Sequence, residues 1–409
     1  MNPTRRDFLK TAVGSSALIS SGLTVPTFLA RTAMAAQGNK TADRVLVVVQ
    51  LSGGNDGLNT VIPFADDNYL RNRPTLKVPV GQALKVNDYI GLHPRMTGFS
   101  RLLEEKRLAV VQGVGYPNPD RSHFRSMDIW HSARPDLPTP VDGWLGRAVD
   151  ISKREAGQDV PGLHIGGIRL PVALISQKTA IPSVESLANF RIRTEGGALP
   201  IETLRTFAQA TAQGETPLVD FLRRSTLAAY DSSGQVQAAL ADERSPVAYP
   251  NFGLATKLKH VAQLIDAGLS TQIYYVSLDG FDTHADQGAA HGNLLAEVSD
   301  SVTAFIDDLV ARGHIDRVAL LTFSEFGRRV QENASLGTDH GAAAPVFVAG
   351  GKVASGLIGR HPSLTDLDDG DLKHHTDFRQ VYATLLDNWL GCSSEIVLGQ
   401  RFEPAPVLM

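Results

Sequence analysis

The 409-residue sequence has almost no cysteine, since Cys392 is its one thiol. A single thiol cannot close an intramolecular disulfide, and it excludes a zinc–thiolate cluster and a CxxC redox site. The sequence also lacks an excess of one charge, with 39 Lys and Arg residues against 43 Asp and Glu. A nucleic-acid-binding protein would show a basic patch or stripe. The composition is therefore typical of a globular protein without a nucleic-acid partner.

Several common catalytic motifs are also absent. The sequence contains no G-x-S-x-G elbow, no H-E-x-x-H, no P-loop and no G-x-G-x-x-G after the first predicted strand. After the N-terminal region, no segment is long and apolar enough to span a bilayer. These absences argue against a dinucleotide-dependent oxidoreductase and predict a soluble mature protein without a stable membrane span.

The N-terminus resembles a bacterial twin-arginine (Tat) signal peptide. Residues 4–10 read T-R-R-D-F-L-K, an apolar stretch diluted by Gly and Ser follows, and A-M-A at 33–35 offers a small-x-small cleavage pattern. An uncleaved membrane anchor is the alternative. We expect residues 1–35 to be removed and the protein to leave through the Tat translocase, to the periplasm or otherwise exported. Removing four basic residues and one acid changes the net charge from −4 to −7.

Strand patterns alternate with helical patterns along the mature chain. Nearly continuous apolar runs predict strands buried on both faces, at 45–51, 108–111, 273–277, 318–323 and 345–348. Apolar residues at helical spacing predict amphipathic helices at 96–103, 294–309 and 378–389. We therefore predict one doubly wound α/β domain over 36–409, with a mainly parallel sheet and helices on both faces. Prolines break the rhythm at about 133–251, which we interpret as an insertion or cap.

Side chains that can bind metal lie next to the ends of these strands. In an open α/β sheet, ligands bind outside the carboxyl ends of the strands. Buried carboxylates gathered there would be costly without a cation, so we predict a shared metal site. The candidate ligands are Asp56 after the first strand, Asp279, Asp282 and His284 after the third, Glu325 after the fourth, and Asp339 and His340 just before the fifth.

Each candidate also has a simpler structural explanation. Asp56 suits a glycine-rich turn, residues 282–284 suit a helix-capping loop, and residues 339–341 suit a turn into a strand. Glu325 suits an ion pair with a nearby arginine. His291, at the start of an amphipathic helix, is either a ligand or a solvated side chain.

Ser122 is the candidate nucleophile, because it stands where a helix is predicted to begin after the second strand. Backbone N–H groups at a helix N-terminus can hold an anion. Arg121 or Arg125 could grip phosphate or sulfate oxygens. Ser126 is the second choice, one turn along, and the alternative is that Ser122 only caps the helix.

Four segments give the sequence a family resemblance: L-S-G-G-N-D-G-L-N-T at 51–60, G-F-D-T-H at 280–284, S-E-F-G-R-R at 324–329 and T-D-H-G at 338–341. They resemble segments of the DUF1501 family of exported proteins, and the resemblance covers essentially the whole mature chain. That family looks like a remote branch of the alkaline phosphatase and sulfatase superfamily. The resemblance implies an alkaline-phosphatase-like fold with a one-metal or two-metal site.

The same resemblance implies a role for individual residues. The superfamily's first-strand Asp would fall near Asp56, its nucleophile near Ser122, its Asp and His ligands on Asp282 and His284, its Asp-His pair on Ser324-Glu325, and its final His on His340. The shorter spacing at 282–284 and the Ser-Glu pair depart from the superfamily pattern. They leave too few histidines for two zinc sites, and oxygen-rich ligation would favour Mg, Mn or Ca over Zn.

We therefore expect a hydrolase of phosphate or sulfate esters that uses a divalent metal ion (Mg, Mn, Ca or Zn) and a small-molecule ester substrate. The cation would polarise the ester and lower the pKa of Ser122 or of a bound water. The alternative is a non-catalytic exported binding or assembly protein on the same scaffold.

Overall fold

The computed structural model describes residues 44–152, 161–184 apart from 168, 180 and 182, and 245–409 apart from 270. The expected signal peptide, 1–35, and most of the expected insertion, including 185–244, lie outside the described residues. Their assignment stays a prediction. Within the described part of the chain, none of the helices has the length and apolarity that a membrane span requires.

The strands are numbered in chain order: β1 (Val45–Ser52), β2 (Val61–Ile62), β3 (Leu84–Lys85), β4 (Gly91–Leu92), β5 (Leu108–Gly115), β6 (Gly162–Ile165), β7 (Ser183–Val184), β8 (Ile273–Asp279), β9 (Val318–Phe323), β10 (Arg328–Glu332), β11 (Thr338–His340), β12 (Ala344–Gly350), β13 (Gly356–Ile358), β14 (Leu367–Asp368), β15 (Asp371–Leu372) and β16 (Thr376–Asp377). The helices are α1 (Gly57–Thr60), α2 (Asp67–Asn72), α3 (Thr97–Glu104), α4 (His123–Ser132), α5 (Trp144–Ile151), α6 (Gly253–Asp266), α7 (Gln287–Ala311), α8 (Phe378–Thr384) and α9 (Ser394–Leu398). A π-helical turn, Leu385–Leu390, continues α8, and 3-10 turns lie at Val80–Gln82, Val172–Leu174 and Ile315–Arg317.

A nine-stranded sheet organises the described residues. Its strand order is β13-β5-β12-β9-β1-β8-β6-β7, and β16 pairs with β5 outside this path. β1 lies at the centre, parallel to β8 on one side and to β9 on the other. β6 and β7 extend the sheet beyond β8. Both strands belong to the region at about 133–251 that we expected to be an insertion or cap.

Helices cover both faces of this sheet, as predicted. Successive residues of a strand point to opposite faces. Val45, Val47 and Val49 of β1 therefore pack in one core with α3, α6 and α7. Leu46 and Val48 pack in a second core with α4, α5, α8 and α9. All of these β1 side chains are buried, which explains why the strand is a continuous apolar run rather than an alternating one.

The fifth predicted strand, β12, runs opposite to the rest of the sheet. It is antiparallel to both β9 and β5, whereas every other pairing in this sheet is parallel. The sheet is therefore mainly parallel, as predicted, and β12 is the exception. No crossover helix separates β9 from β12: the chain passes through the antiparallel hairpin β10–β11 and turns back. The start of β12 therefore lies at the same sheet edge as the carboxyl ends of the parallel strands.

Candidate metal centre

Three histidines and one aspartate converge at the carboxyl edge of the sheet. His123 is the first residue of α4, Asp282 and His284 lie between β8 and α7, and His340 ends β11. The Oδ1 atom of Asp282 lies 3.4 Å from Nε2 of His123, 3.1 Å from Nε2 of His284 and 3.2 Å from Nε2 of His340. Three imidazole nitrogens thus surround one carboxylate oxygen, and we call these four residues the His/Asp cluster.

An oxygen behind each imidazole holds its other nitrogen. Nδ1 of His123 lies 2.8 Å from Glu325 Oε1, and Nδ1 of His340 lies 2.8 Å from the carbonyl oxygen of Arg121. These oxygens can only accept, so both Nδ1 atoms donate. In the neutral rings the lone pairs of Nε2 then face the cluster. His284 is held more loosely, with Nδ1 at 3.4 Å from Asp339 Oδ1.

This arrangement fits a cation. Nε2 of His123 is buried and has no hydrogen-bond partner. The Nε2 lone pairs of His123 and His340 face a carboxylate oxygen, which is unfavourable, whereas a metal ion would satisfy both rings together with Asp282. The ligand atoms of His123, Asp282 and His340 lie mutually within 4.8 Å. The chemistry of the donors, three imidazole nitrogens and one carboxylate oxygen, suits Zn²⁺ and related transition metals.

Of the seven expected ligands, Asp282, His284 and His340 converge, together with His123. The expected preference for Mg, Mn or Ca does not follow from this histidine-rich cluster. Asp56 lies elsewhere: its carboxylate is fully buried and pairs with Arg73, at 2.5 Å from Nη1 and 3.0 Å from Nη2. Burial alone would raise the pKa of Asp56, but Arg73 outweighs it and lowers the pKa to about 2. Asp279 is exposed at the end of β8, and its register partner is Ser52 of β1.

Arg328 fixes the aspartate of the cluster. Its guanidinium is fully buried and donates to Asp282 Oδ1 at 2.8 Å and to the carbonyl oxygens of Gly54, Phe281 and Thr338. Burial raises the pKa of Asp282, but the hydrogen bond from Arg328 and its positive charge outweigh this and lower the pKa to about 2. Asp282 is therefore a carboxylate at any physiological pH.

Glu325 and Asp339 contact histidines of the cluster through Nδ1, on the side of each ring that faces away from Asp282. Oε1 of Glu325 accepts from His123 Nδ1 and from the backbone N–H of Gly53, both at 2.8 Å. Burial raises the pKa of Glu325, and the bonds from His123 and from backbone amides lower it further than burial raises it. The same bond to Glu325 raises the pKa of His123, which makes its imidazole a stronger base and a better metal ligand. Asp339 accepts from Asn333 at 3.1 Å as well as facing His284.

The three residues predicted to be catalytic surround the start of α4. Ser122 is exposed in the N-cap position and its hydroxyl makes no capping bond. The guanidinium of Arg121 pairs with Asp371 at 2.7 Å and with Asp369 at 3.1 Å. The guanidinium of Arg125 donates to the carbonyl oxygens of three residues in the following loop, Pro135, Leu137 and Pro138. Both arginines thus have structural partners.

The other serine and histidine candidates are buried away from the His/Asp cluster. The hydroxyl of Ser126 bonds to the Tyr116 hydroxyl at 2.9 Å and donates to the Glu325 carbonyl oxygen. Nε2 of His291 lies 2.9 Å from Asn55 Oδ1, and burial lowers the pKa of His291 to about 4. The sequence predicted that His291 is either a metal ligand or a solvated side chain, whereas it is buried and hydrogen-bonded to Asn55.

Sequence reasoning missed His123. The signal was present, because the residue lies at the predicted helix start after a strand, beside Ser122.

Comparison with known proteins gives a family and several weak structural similarities. The family model described as "Protein of unknown function (DUF1501)" matches residues 42–390. No curated protein sequence matches the chain. The PsFucS1 sulfatase from Pseudoalteromonas sp. is 12% identical with a TM-score of 0.37, over 92% of this chain and 72% of that one.

Two further structures are similar at the same level. The C-terminal periplasmic domain of EcEptC from Escherichia coli, in complex with Zn, is 11% identical with a TM-score of 0.34, over 76% of this chain and 74% of that one. The lipoteichoic acid synthase LtaP from Listeria monocytogenes is 10% identical with a TM-score of 0.32, over 78% and 68%. At these scores the argument for function rests on the site of this chain.

Proposed function

The chain belongs to the DUF1501 family, and from the geometry of its site we propose that it is an exported, metal-dependent hydrolase of phosphate or sulfate esters. One observation carries the proposal: the Nε2 atoms of three histidines lie 3.1–3.4 Å from the same oxygen of Asp282. A bound divalent ion would polarise the ester and offset the negative charge that develops during its cleavage.

The start of α4 supports an ester substrate. α4 has ten residues and begins at His123, a member of the cluster. An anionic group bound to the cluster would therefore lie near the backbone N–H groups of a helix N-terminus. Ser122 immediately precedes His123 and offers an exposed hydroxyl that makes no capping bond. We assign it as the nucleophile, with water as the alternative attacking group.

The arginines favour a second candidate function. Arg121 and Arg125 were expected to hold the transferring group, but carboxylates and backbone carbonyls already occupy their guanidinium groups. This favours the alternative of an exported binding or assembly protein that keeps one structural metal and lacks turnover.

Elemental analysis combined with an ester panel separates the two functions. The mature protein, from residue 36, is purified, its metal content is measured, and aryl phosphate and sulfate esters are tested with Zn, Mn, Mg or Ca restored. The hydrolase predicts stoichiometric metal and a turnover that Ser122→Ala or His123→Ala reduces by at least about 100-fold, the lower range for loss of one catalytic group. Stoichiometric metal without turnover supports the binding protein. Protein that neither contains nor takes up metal contradicts both.

Export is part of the proposal and has its own test. The resemblance of residues 4–10 to a Tat signal supports passage of the folded protein through the Tat translocase. A reporter fused after residue 35 should reach the periplasm, and replacing both Arg5 and Arg6 by Lys should retain it in the cytoplasm. Export of the double-lysine variant at the wild-type level would contradict this route.

A further inference from the structure

Glu325 was expected to bind metal directly, but its carboxylate lies behind His123. Oε1 contacts His123 Nδ1, on the opposite side of the ring from the nitrogen that faces Asp282. Oε2 lies 3.0 Å from the Ser324 hydroxyl. Oε1 therefore accepts from a histidine of the His/Asp cluster, and Oε2 lies against Ser324, outside the cluster.

Glu325 also connects the loops that carry the cluster. The Oε1 atom that holds His123 accepts the N–H of Gly53 in the loop after β1. Gly53 has φ +119°, and a side-chain carbon there would lie 2.3 Å from the backbone nitrogen of Asp282. The loop after β1 is thus pressed against the segment that supplies Asp282. One carboxylate fixes the first residue of α4 and the loop that packs beneath the aspartate.

We propose that Glu325 is a positioning residue: it holds His123 in the tautomer whose Nε2 lone pair faces the metal, and it does not ligate the metal itself. This inference rests on the metal binding in the proposed function. A carboxylate behind a ligating histidine fixes the ring and raises its basicity, and loss of such an outer partner typically lowers metal affinity 10–100-fold.

Two substitutions of Glu325 distinguish positioning from ligation. Glu325→Gln keeps an oxygen that can accept from His123 Nδ1 and Gly53 N–H, and its amide can donate to the Ser324 hydroxyl. Glu325→Ala removes every one of these contacts. If Glu325 positions His123, zinc affinity falls 10–100-fold in the alanine variant and by no more than about tenfold in the glutamine variant. If Glu325 were a ligand, both variants would lose affinity alike.

Glu332→Ala is the matched control. The carboxylate of Glu332 accepts the backbone N–H groups of Thr75, at 3.0 Å, and Leu76, at 2.7 Å, and so has a comparable structural role away from the His/Asp cluster. Its loss should lower the melting temperature and leave zinc affinity at the wild-type value.

The experiment measures zinc affinity by chelator competition and the His123 tautomer by NMR of protein with ¹⁵N-labelled histidine. We expect Nδ1 of His123 to carry the proton in metal-free wild type and in Glu325→Gln, and a mixture of tautomers in Glu325→Ala.

Equal zinc affinity in wild type and Glu325→Ala, or equal losses in both variants, overturns the proposal. If the alanine variant fails to fold, Glu325→Gln and the wild-type tautomer still decide. If wild type binds none of Zn, Mn, Mg or Ca, the proposed function fails, while the tautomer measurement tests the role of Glu325 separately.

Discussion

The Nε2 atoms of His284 and His340 lie 2.8 Å apart. Because Nδ1 of His340 donates to the Arg121 carbonyl, the neutral ring presents a lone pair at Nε2, and this contact needs a proton between the two rings or a cation beside both. We expect zinc to separate them. Zinc–nitrogen distances of about 2.0–2.1 Å at tetrahedral angles place two ligand nitrogens about 3.3 Å apart. A crystal structure of the zinc-loaded protein measures this, and zinc bound elsewhere with the 2.8 Å contact intact would refute it.

Metal binding should depend on His123 and not on Asp279. His123→Ala removes the ring whose buried Nε2 has no other partner, so zinc affinity should fall by more than the roughly 10–100-fold lost with an outer partner. Asp279→Ala is the control, because that side chain is exposed at the end of β8. Chelator competition on both variants checks the prediction. A larger loss of zinc affinity in Asp279→Ala than in His123→Ala would indicate that Asp279 is the ligand.

Asp56 should matter for stability and not for metal. Asp56→Asn leaves the buried guanidinium of Arg73 without its countercharge, and breaking a buried ion pair in this way costs about 3–5 kcal/mol. Urea unfolding of the metal-free variant measures the loss, and elemental analysis of the folded variant should give the wild-type metal content. Loss of metal from a variant of unchanged stability would return Asp56 to the ligand set.

The same ion pair predicts acid sensitivity. The pKa of Asp56 is about 2 in the folded protein, against 3.8 for an ordinary aspartate side chain. The unfolded chain therefore takes up the proton first as pH falls. The stability from this group is fully present above pH 3.8 and is lost as pH falls through about 2. At about 1.4 kcal/mol per pKa unit the change is about 2 kcal/mol. Urea unfolding of wild type and Asp56→Asn, from pH 5 down to the lowest pH at which both fold, should give free energies that approach each other.

The sheet could be predicted from sequence because burial on both faces leaves a direct signal. Runs such as 318–323 are apolar at every position, and each of the five predicted runs became a strand of the central sheet. Strand direction left no such signal. The reversal of β12 depends on the hairpin β10–β11, and this reversal is what brings His340 to the same edge as Asp282.

The ligand set could be predicted only in part, because the choice among acidic residues depends on partners far away in the chain. From the sequence, Asp56 is a reasonable ligand. In the structure its carboxylate pairs with Arg73, in the turn after α2. Glu325 was placed at the right edge, but which way its carboxylate points depends on Gly53 and His123. Sequence patterns report burial and periodicity, and they do not report the pairing of two buried polar groups.

The order in which the cluster residues occur along the chain sets when a metal ion can be acquired. His123 precedes His340 by more than two hundred positions, and His340 lies in the hairpin that leads into the reversed strand β12, between β5 and β9. A ribosome-bound chain that ends before His340 thus contains an incomplete site. A metal ion held by the whole cluster could therefore bind only after most of the chain has been synthesised.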